Sequence, residues 1–227
     1  MLRENTVKAE NQLQREAFVS FSLAEKAGIK VLFLGNSMTR HGAKPEIGWP
    51  HDHGMAASAE EKDYVHLLMA RIRADHADAS FCICQGAEWE RRYRRGQETY
   101  RFYKAAREFA ADVIIMRLIE NCPYSDFDGS VFKKELWDLL TYLNPLSKAR
   151  IILTTGFWKH PGDAAIRALA LEKGLPLAEL GDLGERAEMR ADGLFAHKGV
   201  ARHPGDLGME AIASRIFAQF STIQKKS

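Results

Sequence analysis

The sequence has few cysteines, no long hydrophobic run and no excess of charge of either sign. Its three cysteines do not form a CxxC pair or a zinc-finger spacing, since Cys82 and Cys84 share one apolar run and Cys122 stands alone. No stretch reaches the roughly 18 to 20 consecutive apolar residues of a membrane span. With 32 basic and 30 acidic residues the formal charge is only +2. We therefore expect a soluble protein with buried free thiols and with neither nucleic acid nor a membrane as partner.

Two further signals are missing. Neither GxGxxG nor a P-loop pattern follows the first predicted strand, which argues against a flavodoxin-like nucleotide binder. The opening "MLRENTVKAENQLQREAF" is polar where a secretory signal peptide would carry an apolar core. A cytoplasmic location is therefore the expectation.

Short apolar, β-branched-rich segments alternate with helical patterns along most of the chain. Continuous apolar segments are typical of parallel strands that are covered on both faces. The predicted strands are Lys30 to Leu34, Ala79 to Cys84, Asp112 to Ile119, Ala149 to Thr155 and Leu175 to Leu180. Helical spacing of apolar residues lies before or after each of them, around Tyr64 to Ile72, Phe102 to Phe109, Phe132 to Leu143, Ala165 to Gly174 and Met209 to Phe220. This alternation predicts a three-layer α/β fold with a five-stranded, flavodoxin-like parallel sheet.

The first 28 residues lie outside this minimal fold. Leu13, Phe18, Phe21 and Leu23 give residues 5 to 28 the pattern of an amphipathic helix. We expect residues 1–28 to be a helical extension that either pads the sheet or pairs subunits in a homo-oligomer. Residues 29–227 are expected to form one domain.

Polar residues follow the predicted strands at the edge where parallel sheets bind ligands. They are Asn36 and Ser37 after the first strand, Gly86 after the second, Glu120 and Asn121 after the third, Trp158 and His160 after the fourth, and His203 before the last helix. A serine, a glycine N–H, an amide and a histidine are the groups that acyl transfer requires. Ser37 alone could equally be a turn residue.

Gly35-Asn36-Ser37, Gly86, Asn121 and His203 resemble, in order and in position, the four sequence blocks of the SGNH/GDSL hydrolase superfamily. The segments "GWPHDHGMAASAEEKDYVHLL", "RLIEN" and "HKGVARHPGDLGMEAIA" are similar to an uncharacterised bacterial subgroup of it, some of whose members are thought to act on acylated carbohydrates. The resemblance implies that Ser37 is the nucleophile and His203 the base. It also implies an oxyanion hole made of the Ser37 N–H, the Gly86 N–H and the Asn121 side chain, and no cofactor.

The sequence departs from the family pattern at two positions. Val200 stands where the family usually has an aspartate, three residues before the histidine, and Ile119 stands where it usually has a glycine. An aspartate fixes the tautomer of the histidine and stabilises the imidazolium. Asp192, Asp206 or a backbone carbonyl could take its place, and Asp192 is our candidate for a third catalytic residue.

The remaining polar and aromatic residues near the strand ends admit more than one interpretation. Trp158 is a candidate for lining the pocket, and Asn36, Glu120 and Trp49 complete the predicted substrate contacts. The "HDH" at residues 51–53 lacks a third metal ligand with supporting spacing, so no metal is predicted. The run "ERRYRRG" at residues 90–96 is either a solvated face or a contact for an anion at the rim of the site.

Two functional hypotheses remain. The first is a serine esterase that hydrolyses a small acyl group, such as acetyl, from a small-molecule or carbohydrate ester. The second is a catalytically degenerate protein of the same fold that binds a glycan without hydrolysing it, as the substitutions at Val200 and Ile119 would suggest.

Overall fold

A computed structural model describes residues 18–224. It contains a six-stranded sheet in the order β1-β3-β2-β4-β5-β6, in which β2 to β6 run parallel and β1 is antiparallel to β3. The five parallel strands have the flavodoxin-like order 2-1-3-4-5, which confirms the predicted fold class. The strands are β1 Val19–Ser22, β2 Lys30–Gly35, β3 Ser80–Gln85, β4 Val113–Arg117, β5 Arg150–Thr154 and β6 Leu177–Ala178.

Strand β1 corrects the expectation for the start of the chain. Val19–Ser22 pairs with the outer edge of β3, with Val19 opposite Cys84 and Ser22 opposite Phe81. Phe18 and Phe21, which were expected on a helix, instead pack beside this edge, and the Phe18 ring stacks on Phe102 at 4.6 Å. The predicted helix is therefore wrong for residues 19–22. Residues 1–17, which include Leu13, lie outside the described residues.

Helices cover both faces of the sheet. The seven α-helices are α1 Tyr64–Asp75, α2 Ala87–Arg91, α3 Lys104–Glu108, α4 Gly129–Leu143, α5 Asp163–Lys173, α6 Lys198–Ala201 and α7 Asp206–Gln224, counted within residues 18–224. Short 3₁₀ segments lie at Pro45–Ile47, Glu60–Lys62, Tyr93–Tyr103, Leu183–Glu185 and Ala187–Met189. Asp63 and Asp128 cap α1 and α4 by accepting backbone N–H bonds in the first turn.

Successive side chains of each strand point to opposite faces of the sheet, so two hydrophobic cores form. Leu32 and Leu34 face a core formed with α2, α3, α4 and α5, whereas Val31 and Phe33 face the core formed with α1 and α7. All three cysteines are buried and free. None of the helices within residues 18–224 combines the length and the hydropathy that a bilayer crossing needs.

Candidate active site

Ser37 and His203 meet at the carboxyl edge of the sheet. Ser37 lies in the turn directly after β2, and His203 lies in the loop between α6 and α7. The Ser37 Oγ is 2.8 Å from His203 Nε2 across 166 residues of sequence. The turn is held by N–H bonds from Thr39 and Arg40 to the Asn36 carbonyl, and residues 38–44 that follow it are not helical. No helix dipole therefore assists the serine.

The other ring nitrogen of His203 fixes the tautomer. Nδ1 lies 2.7 Å from the backbone carbonyl oxygen of Gly199. Because a carbonyl only accepts, Nδ1 carries the proton and Nε2 has a free lone pair for the Ser37 hydroxyl proton. The Trp158 ring packs edge-on against the imidazole, with 5.5 Å between ring centroids. Of the three substitutes considered for the missing aspartate, the backbone carbonyl is the one that the structure contains.

Neither aspartate contacts His203. The Asp192 carboxylate pairs with Arg190, with 2.7 Å between Asp192 Oδ2 and Arg190 Nε. Asp206 accepts bonds from the Ser58 N–H and hydroxyl and from Lys62. The expectation that Asp192 is a third catalytic residue is therefore corrected, because its carboxylate already has a cation two residues away.

Burial lowers the pKa of His203 to about 4, and the positive charge of Arg117 acts in the same direction. The Gly199 carbonyl raises this pKa but does not outweigh burial. The imidazole is thus neutral over the whole physiological range. A neutral imidazole is the form that can accept the serine proton.

Asn121 lies in the cavity wall with Ser37 and His203. One hydrogen of its Nδ2 group goes to Glu90 Oε2 at 2.6 Å, and an amide nitrogen has a second hydrogen to donate. Within residues 18–224 no acceptor contacts the backbone N–H of Ser37. These two donors are available to an oxyanion.

Gly86 has a different role from the one implied by the resemblance. Its N–H donates to the Gly35 carbonyl at 2.6 Å and so extends the pairing of β2 with β3. A Cβ at this position would lie 2.9 Å from Leu118 Cδ2 and 3.3 Å from Leu34 Cδ1. The glycine permits close packing beneath the site, and its N–H is not free for an oxyanion.

A buried polar network lies below these groups. The Asn36 Nδ2 group bridges two carboxylates, Glu90 Oε1 at 3.0 Å and Glu120 Oε2 at 2.5 Å. Arg117, which is fully buried, pairs with Glu120 Oε1 at 2.7 Å and donates to Asn36 Oδ1 at 3.1 Å. Burial and the neighbouring Glu120 charge raise the pKa of Glu90. The network holds the turn after β2 against the loop after β4.

This network changes the assignment of two predicted substrate contacts. Asn36 has no exposed surface, and its amide is hydrogen-bonded to Glu90, Glu120 and Arg117. Trp49 is also fully buried, and its Nε1 donates to the His41 carbonyl at 3.1 Å. Neither can touch a substrate. Trp158 and Glu120 do line the cavity, although Glu120 is mainly engaged by Arg117, Asn36 and the Phe157 N–H.

The cavity beside Ser37 has a volume of about 290 Å³. Gln85, His41 and His197, which were not among the predicted catalytic or substrate-binding residues, also line it. His41 Nδ1 donates to the Gly42 carbonyl, and burial lowers the pKa of this imidazole. His160 lies elsewhere: it is buried against Tyr124 and Phe127, and its Nδ1 accepts the Gly162 N–H at 2.9 Å.

The "HDH" histidines are not grouped with other potential ligands. His51 and His53 pack against the Trp49 ring, each with 5.0 Å between ring centroids. In the part of the chain that the structure describes, no three histidine, cysteine, aspartate or glutamate side chains are placed to hold a metal ion.

No family model and no curated protein matches the sequence, but solved structures match the fold. The chain is similar to a two-domain esterase (CEX) active on acetylated mannans, with a TM-score of 0.56 and 15% identity over 86% of this chain and 49% of that one. It is similar to a family two carbohydrate esterase from Clostridium thermocellum (TM-score 0.56, 12% identity, 88% of this chain, 64% of that one). A third similar structure is a family two carbohydrate esterase from Cellvibrio japonicus (TM-score 0.51, 18% identity, 90% of this chain, 63% of that one). The chain thus spans about half to under two thirds of the length of these proteins.

Proposed function

Because the chain has the SGNH/GDSL hydrolase fold, we propose that it is a serine esterase that removes a small acyl group, such as acetyl, from a carbohydrate. The observation that carries the proposal is the 2.8 Å contact between Ser37 Oγ and His203 Nε2. This is the hydrogen-bond reach that a serine and its general base need. The similarity in fold to an esterase active on acetylated mannans and to a family two carbohydrate esterase supports the choice of substrate class.

The reaction follows from the positions of the groups. His203 Nε2 takes the Ser37 hydroxyl proton as Oγ attacks the ester carbonyl, and the new oxyanion accepts hydrogen bonds from the Ser37 N–H and the Asn121 Nδ2. The intermediate collapses to an acyl-serine as His203 returns the proton to the departing sugar oxygen. Water then attacks the acyl-serine, again losing its proton to His203, and the acid and free Ser37 are regenerated.

The cavity favours a small acyl group. Its volume of about 290 Å³ lies at the lower end of the range for ligand pockets. Ile47, Met55 and Trp158 provide apolar lining next to Ser37 and His203. Such a wall suits the methyl of an acetyl group better than a long acyl chain, which would need a continuous apolar channel.

A second candidate is a glycan-binding protein that does not hydrolyse its ligand. Two observations favour it: the Gly86 N–H is engaged by Gly35, and among residues 18–224 no carboxylate contacts His203. Both weaken catalysis relative to a full triad with three oxyanion donors, but neither removes the nucleophile or the base.

Hydrolysis of p-nitrophenyl acetate separates the two candidates. We expect the wild-type protein to release p-nitrophenol well above the rate of Ser37→Ala, which should fall to the background rate. Ser221→Ala, on α7 and outside the cavity, is the matched control and should retain the wild-type rate. Equal slow release by the wild type and by Ser37→Ala would contradict esterase activity and favour the binding protein.

A further inference from the structure

The arginine-rich run of the sequence forms the wall of a second cavity beside the candidate active site. This cavity has a volume of about 370 Å³ and is lined by Arg91, Arg92, Tyr93, Arg94, Arg95, Glu98 and Pro123. Arg91 also lines the cavity that contains Ser37 and His203. The two cavities are therefore neighbours that share one side chain.

The charges on this wall are unbalanced. Four guanidinium groups face one lining carboxylate, that of Glu98, which lies 3.8 Å from Arg95. Glu88 behind the wall pairs with Arg91 at 2.9 Å and with Arg92 at 3.6 Å. The chain as a whole carries a formal charge of only +2, so a positive surface at this place is a local feature. It attracts anions toward the rim of the active site.

The arginines of this wall differ in how firmly local contacts hold them. The Arg94 guanidinium donates to the Asp126 carbonyl and lies over the buried Tyr93 ring, 5.5 Å from its centroid. Arg92 and Arg95 project into solvent, with 57% and 80% of their side chains exposed. Exposed guanidinium groups on an anchored backbone can bind a carboxylate or a phosphate through paired N–H donors.

We propose that this cavity, here called the arginine subsite, binds an anionic group on the sugar that carries the ester. The inference rests on the proposed function and specifies its substrate class: the alcohol is an acidic sugar, with a carboxylate or phosphate on the acylated unit or on the unit next to it. The acyl group lies beside Ser37, and the sugar extends past Arg91 to Arg92 and Arg95. The sequence pattern left open whether the run is a solvated face or an anion contact, and the shared position of Arg91 favours the contact.

The test compares two anionic acetylated sugars with a neutral one. Acetylated oligogalacturonide supplies a carboxylate, acetylated glucose 6-phosphate supplies a phosphate, and acetylated xylo-oligosaccharide is the neutral reference. We expect the wild-type kcat/KM to be higher for at least one anionic substrate than for the neutral one. The ratio of kcat/KM for the anionic substrate to kcat/KM for the neutral substrate should fall about two- to fivefold in Arg92→Gln or Arg95→Gln and about tenfold in the double variant. Raising NaCl from about 0.05 M to about 0.5 M should shrink the wild-type ratio.

The matched control removes two positive charges from the nearby surface outside the cavity. Arg101→Gln/Lys104→Gln deletes two exposed cations that do not line the cavity, and it should leave the ratio unchanged. A ratio near one in the wild type, or an equal fall in the control and in Arg92→Gln/Arg95→Gln, would overturn the inference.

Failure of the proposed function gives a different result. If the wild type hydrolyses none of these esters, binding of unacylated oligogalacturonide and of glucose 6-phosphate to the wild type is measured by calorimetry. Binding that weakens in Arg92→Gln/Arg95→Gln but not in the control would support an anion-binding site without esterase activity. Absence of binding, or binding that no arginine variant changes, would overturn it.

Discussion

The Nδ1–H of His203 is bound by the backbone carbonyl of Gly199, at 2.7 Å, in the place where an aspartate would orient the imidazole of a full triad. A carbonyl fixes the same tautomer as a carboxylate but offers only a partial negative charge. The imidazolium that forms during catalysis is therefore stabilised less. Val200, at the family position of the aspartate, is fully buried and packs with Trp49, Met55, Ala56 and Ala191.

The first prediction concerns the acid limb of the pH profile. Burial lowers the pKa of His203 to about 4, and the neutral imidazole is the active form, so kcat/KM should stay constant down to about pH 5 and fall by half near pH 4. The measurement is kcat/KM for p-nitrophenyl acetate between pH 3.5 and about pH 8, with circular dichroism to follow folding. An acid limb centred near the ordinary histidine value of about 6.5 would contradict it.

The second prediction restores the missing carboxylate. In Val200→Asp a negative charge next to the imidazole should stabilise its protonated form, so the midpoint of the acid limb should rise by about one to two pH units. Val200→Asn is the control of equal size and should leave the midpoint near that of the wild type. Both variants lose apolar packing and should unfold at lower urea concentration. An equal midpoint in the two variants would mean that position 200 does not reach His203.

The third prediction concerns Asn121. Its Nδ2 group has one hydrogen on Glu90 and one for the oxyanion, and Asn121→Ala removes that donor. We expect kcat to fall about 100- to 1000-fold with little change in KM, because the bond to the oxyanion forms only in the transition state. Steady-state kinetics at saturating ester provide the measurement. A change of less than about threefold would exclude Asn121 from the oxyanion hole.

The fourth prediction separates packing from catalysis at Gly86. A Cβ in Gly86→Ala would press on the buried side chains of Leu118 and Leu34, so the free energy of unfolding should fall by about 1 to 3 kcal/mol. The backbone φ of −105° is open to alanine. Because the Gly86 N–H already donates to Gly35, the kcat of the folded protein should stay close to that of the wild type. A large loss of kcat with unchanged urea unfolding would contradict this prediction and would indicate that the Gly86 N–H is an oxyanion donor.

Much of the sheet could be predicted from the sequence because buried parallel strands leave a local signal. The five apolar segments match β2 to β6, although β6 is only Leu177–Ala178 where Leu175 to Leu180 was predicted. Strand β1 was missed because its partner is the outer edge of β3, a contact that alternation within four residues does not reveal. The spacing of three residues between Phe18 and Phe21 is that of one helix face, so it favoured the wrong element.

Site residues that directly follow a strand could be predicted from the sequence. Residues whose role depends on being buried could not. Ser37 and Asn121, which follow strands, and His203, which precedes the last helix, come together as expected. Glu90 precedes a run of arginines, a pattern typical of a surface residue. It is nevertheless fully buried, and its carboxylate accepts hydrogen bonds from the Asn36 and Asn121 amides. The partner of His203 could not be predicted, since a backbone carbonyl is present at every residue and only the fold selects Gly199.

The measurement that tests the account most directly is covalent labelling by a fluorophosphonate, which forms a bond from phosphorus to an activated serine oxygen and releases fluoride. Intact mass spectrometry should show one adduct per chain, and peptide mapping should locate it at Ser37. Ser37→Ala should take up none, and His203→Asn should react far more slowly because no base accepts the hydroxyl proton. No adduct on the folded wild-type protein, or an adduct at another serine that persists in Ser37→Ala, would contradict the assignment of Ser37 as a nucleophile activated by His203.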